Sequence, residues 1–105
     1  MLIATILIYS GRENPRWEID GPAERDVLGR LASLAEVRCG PAAPPGLGYS
    51  GIELMREPGG ERWTLHAGVV RSGEACFADS GRTLERALVA LGRARLGERI
   101  PANLV

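Results

Sequence analysis

The chain has 105 residues, 45% hydrophobic and 25% charged, with thirteen basic side chains against thirteen acidic ones. That length supports one domain with one hydrophobic core between two layers of secondary structure. Formal neutrality argues against a protein whose main partner is nucleic acid or an anionic membrane, since both need an unneutralised basic surface.

Residues Leu2 to Tyr9 form a near-continuous apolar run rich in Ile, which predicts a central strand covered on both faces. The run has no basic start and no small-residue cleavage site, and it is too short to span a bilayer, so it reads as structure and the chain is expected in the cytoplasm. The loop Tyr9-Ser10-Gly11-Arg12-Glu13-Asn14-Pro15-Arg16-Trp17 follows. Trp17 and Ile19 then alternate with Arg16, Glu18 and Asp20, a short second strand at the edge of the core.

A helix is predicted from Asp20 or Gly21, with Pro22 in its first turn and Glu24 near the positive end of its dipole. Val27, Leu28, Leu31, Leu34 and Ala35 recur on one face, while Arg25, Asp26, Arg30 and Ser33 fall outside it. The end is expected near Glu36. Prolines and glycines from Gly40 to Gly48 forbid regular structure and make a surface loop returning to the sheet.

A meander comes next. Ile52 to Met55 is a strand and Glu57-Pro58-Gly59-Gly60 a turn. Arg62 to Val70 reads as one long strand, with Trp63, Leu65, Ala67 and Val69 facing the core. Arg71 to Glu74 turns the chain into a strand over Ala75 to Ala78. The last helix has Asp79 or Ser80 as cap, a buried stripe of Leu84, Ala87, Leu88 and Leu91 with Glu85 beside it, and Gly97 as its stop. The order β-(β)-α-β-β-β-α is an α+β fold, a two-layer arrangement with an antiparallel or mixed sheet of four to five strands and both helices on one face.

The chemistry concentrates in the first loop. Ser10 and Gly11 expose backbone amides suited to an anion, Arg12 and Arg16 carry the fork that clamps a carboxylate or phosphate, and Trp17 offers a stacking plane. The competing reading is turn formation, with Asn14 bonding local backbone before Pro15 and Trp17 capping the core. The segment Tyr9 to Trp17, with Pro45-Gly46-Leu47-Gly48-Tyr49-Ser50-Gly51 further on, resembles a family of small uncharacterised bacterial proteins. The resemblance spans about a fifth of the chain and implies no activity. It implies that the two Tyr-Ser-Gly segments belong together at neighbouring strand ends.

Elsewhere the signals are weak. Cys39, His66 and Cys76 lack paired-ligand spacing, so no metal or cofactor is expected and the cysteines read as buried free thiols. Ser10 or Ser50 with His66 and Asp79 forms a triad only on paper, without a nucleophile elbow. Arg82 and Arg86 enclose Glu85, unlike the basic helix start that grips double-stranded RNA. The expected function is therefore non-enzymatic: capture of a protein or peptide partner through Ser10, Gly11, Arg12, Asn14, Arg16, Trp17 and Tyr49. The second expectation is a small anionic ligand in the same loop. The strand at Ile52 or the one at Ala75 is expected to be an exposed edge, for which an edge-paired or sheet-face homodimer is a natural solution.

Overall fold

The structure, a computed structural model, describes residues 1–8, 11, 13–41, 48–102 and 104. Strand β1 (Leu2–Ile6) buries Leu2, Ala4 and Ile6 completely and leaves Ile3 and Thr5 half-buried. The apolar run thus has one packed face and one partly open face, the pattern of an antiparallel sheet. Strand β2 (Arg16–Ile19) pairs with it, setting Trp17 opposite Ala4 and Ile19 opposite Leu2.

Helix α1 (Gly21–Ser33) keeps Pro22 and Glu24 in its first turn and Arg30 in its last, and it buries Val27 and Leu31. It stops short of the expected end because Glu36 and Val37 form a two-residue strand, β3, opposite Phe77 and Cys76. Strands β4 (Ile52–Arg56), β5 (Arg62–His66), β6 (Val69–Ser72) and β7 (Ala75–Ala78) make an antiparallel meander. The sheet has seven strands among the described residues, in the order β2-β1-β4-β5-β6-β7-β3.

The expected four to five strands fall short for two physical reasons. Residues 62–70 are two strands, because Ala67 and Gly68 take φ of 54° and 83° and close a two-residue hairpin. The reversal shifts the phase, so Val70 is fully buried and Val69 is exposed. Strand β3 is too short to show any alternation.

Helix α2 (Thr83–Leu96) follows a 3-10 turn over Ser80–Arg82. Buried Asp79 caps it: Oδ1 accepts from the Leu84 amide at 2.8 Å and Oδ2 from the Glu85 amide at 3.0 Å. Gly97, at φ 59°, ends the helix. Leu84 and Leu88 are buried as the stripe predicts, but so are Glu85, Val89 and Gly92, while Ala87 and Leu91 are half-buried.

Trp17, Ala4, Leu54 and Trp63 are successive cross-strand partners and share one face. Trp17 lies against α2, where a Cβ on Gly92 would fall 2.7 Å from its ring. Trp63 borders a cavity with Leu28 and Leu31 of α1. Both helices therefore cover the same face. The opposite face carries the row Thr5, Glu53, Thr64, Arg71 and Cys76.

Cys39 and Cys76 form a disulfide, with Cα atoms 5.2 Å apart. This corrects the expectation of free thiols. Cys39 lies just beyond β3, whose pairing with β7 sets Val37 opposite Cys76, and no count of cysteines reveals that adjacency. No described helix is long and apolar enough to cross a membrane.

Candidate functional site on the open face

The ends of β1 and β4 adjoin and build the floor of the site. The Ser50 amide donates to Leu7 O at 2.8 Å and the Leu7 amide to Gly51 O at 2.9 Å, so two residues oppose one and the strand bulges. Gly51 has φ 114°, and a Cβ there would sit 2.5 Å from Leu65 O and 2.9 Å from His66 Cβ. Only glycine lets β4 and β5 stay this close.

Beside the bulge, the Tyr49 ring meets His66 edge-on, with centroids 5.8 Å apart and planes at 75°. The Tyr49 hydroxyl donates to Glu85 Oε2. Glu85 is fully buried and also accepts from Arg82, at 3.3 Å from Nη2 and 3.4 Å from Nε. Arg82 reaches it from a left-handed backbone, φ 58°. Burial, then the hydrogen bond and charge of Glu85, push the Tyr49 phenol well above its ordinary range, against the opposing pull of Arg82. The phenol therefore stays a donor at neutral pH.

The segment after β3 returns over the open face. Cys39 is bonded to β7, Arg71 Nη2 of β6 donates to Gly40 O at 2.6 Å, and Pro41 borders β5. Beside this strap lies a cleft of about 400 Å³ lined by Gly40, Pro41, Ser50, Thr64, His66, Ala67, Val69 and Arg71. Among the described residues, no carboxylate is in that lining. Glu53, the cross-strand neighbour of Thr64, has an oxygen 3.4 Å from Arg62 Nη1. The cleft presents the Thr64 hydroxyl, an imidazole and a guanidinium, a donor set suited to negative charge, while the Ser50 hydroxyl gives its proton to Leu7 O.

The residues predicted from sequence are divided by the structure. Ser10 and Arg12 lie outside the described residues. Gly11 is exposed at φ 79°. Asn14 performs turn chemistry, its Oδ1 accepting from the Ile8 amide at 2.8 Å. Arg16 is exposed on β2, whereas Trp17 is only 5% exposed and packs in the core. Its Nε1 is buried with no hydrogen-bond partner among the described residues. Among the described ones, Tyr49 alone joins the cleft cluster, through His66.

Other candidates resolve as follows. The two cysteines bond to each other, and no group of three His, Cys, Asp or Glu among the described residues could hold a metal ion. Both Asp79 oxygens accept from α2 amides, and the Ser50 hydroxyl donates to Leu7 O at 3.3 Å. Thr64 and Arg71 were not singled out from sequence. Their signal was the polar phase of the stretch that also holds His66, hidden by reading two strands as one. Comparison with family models, with curated proteins and with solved structures finds no significant match for the chain.

Proposed function

We propose that the chain is a non-enzymatic binding module for a small anionic ligand, a carboxylate or phosphate, taken into the open-face cleft. The one-sided chemistry of the lining carries this reading: Thr64, His66 and Arg71 stand in it with no acidic side chain among the described residues. Arg71 uses one donor to hold Gly40 O, and the rest of its fork serves the ligand. The ligand class is the one the first loop suggested, moved to another part of the sheet. Engagement of Ser50 with Leu7 and of Asp79 with α2 supports binding over nucleophilic catalysis. A partner gripping Trp17 has less support, because that ring is in the core.

A ligand that binds only the native state raises its stability. Thermal-shift measurements with inorganic phosphate, acetate and citrate should show stabilisation that saturates in the millimolar range or below. Replacing Arg71 with Gln should weaken it about tenfold, as expected for loss of a charge-assisted contact, while Arg16→Gln leaves it unchanged. No stabilisation by any of these anions, or undiminished binding by Arg71→Gln, overturns the reading.

A further inference from the structure

Among the described residues the sheet has two edges, β2 and β3. Strand β3 has two residues and runs directly to the disulfide. Strand β2 is a regular four-residue edge, and its hydrogen-bond phase can be worked out. The Ile6 amide donates to Pro15 O at 3.0 Å, in line with the register that pairs Thr5 with Arg16 and Ala4 with Trp17. Ile6 and Pro15 thus occupy a hydrogen-bonded position. In an antiparallel ladder such positions alternate, so Trp17 and Ile19 turn their backbone groups to β1. Arg16 and Glu18 turn theirs outward. Among the described residues, no backbone bond outside the strand ladders reaches either of them.

The side chains of Arg16 and Glu18 are exposed and lie on the same face, opposite Trp17 and Ile19. Neither has an ion pair among the described residues. Two copies meeting edge to edge must set an outward residue against an outward residue. Register on Arg16 alone or on Glu18 alone sets like charges directly opposite, which is unfavourable. The remaining register sets Arg16 of each copy against Glu18 of the other, with the dyad at Trp17, and makes two equivalent opposite-charge pairs.

We propose that β2 pairs antiparallel with β2 of a second copy in this register, forming a twofold dimer with one continuous sheet. The dimer leaves the open-face cleft as described and does not depend on the ligand reading.

Sedimentation velocity on the full chain in low salt tests it, from micromolar up to about 1 mM, the range in which so small an interface associates. The wild-type chain should shift toward dimer with concentration, and the amides of Arg16 and Glu18 should gain exchange protection as it does. Arg16→Glu alone and Glu18→Arg alone each turn both pairs repulsive and should weaken association about tenfold or more. The combined exchange, Arg16→Glu with Glu18→Arg, restores opposite charges and should recover association. Circular dichroism verifies that each exposed substitution keeps the fold. A wild-type chain monomeric throughout, single variants that associate like wild type, or a combined variant that fails to recover would each overturn the proposal.

Discussion

Tyr49 holds a carboxylate that has no contact with water. Among the described residues, its hydroxyl and the Arg82 guanidinium are the side-chain donors to Glu85, so replacing Tyr49 with Phe removes one donor and leaves an acceptor short of a partner. The loss should be about 1–2 kcal/mol at neutral pH. The pH dependence follows from the raised phenol pKa. Above about pH 10 the unfolded chain releases this proton while the folded one keeps it. The phenol's contribution is whole below that pH and is lost as the solution becomes more alkaline. Denaturant titrations from pH 7 to 11 should show a shallower alkaline decline in Tyr49→Phe than in wild type. At this scale the sequence was partly legible. Turn chemistry at Asn14 and core packing at Trp17 were readable as alternatives, because both follow from side-chain type. The burial of Glu85 was not, since its neighbours in sequence are those of a solvated helix face and its partner Tyr49 comes from another element.

At the scale of elements, each helix begins where an acid or proline marks it, and periodicity finds both. Helix α2 starts with an unusual entry, a 3-10 turn whose Gly81 and Arg82 both have positive φ. Asp79 reaches past that turn to two α2 amides. Asp79→Ala should therefore cost about 2 kcal/mol, the upper range for a cap, with increased amide exchange at Leu84 and Glu85. A thermal midpoint unchanged by this substitution would contradict the capping role. The strand count failed where two conformations share one pattern. Residues 62–70 alternate as an unbroken strand should, and the Ala67-Gly68 turn lacks the Asn or Asp that usually signals a tight hairpin. The cleft was lost with that turn, because His66 and Arg71 become neighbours of one site only when the chain folds back.

Across the whole molecule, the disulfide joins the strap to β7 and closes a loop with a sequence separation of 37. Chain-entropy arguments give such a closure about 4 kcal/mol, by restricting the unfolded state. Reduction should lower denaturant stability by up to that amount, measured with and without reductant at fixed pH. It should also loosen the Gly40–Arg71 contact, so anion stabilisation weakens in the reduced chain. Equal stability in both redox states would show that the closure contributes little. The fold class was legible because amphipathic helices and alternating strands are local patterns. The pairing of Cys39 with Cys76 was not, because it depends on β3, an element with too few residues to leave a pattern.

The two tryptophans give the molecule its own optical probes. Trp17 and Trp63 lie on one face with Ala4 and Leu54 between them, about 14 Å apart at ordinary strand spacing. One is sealed beneath α2 and the other is half-buried near α1. Their emission therefore reports separately on the two halves of the helical layer. Keeping one indole at a time would reveal whether both halves melt as a unit.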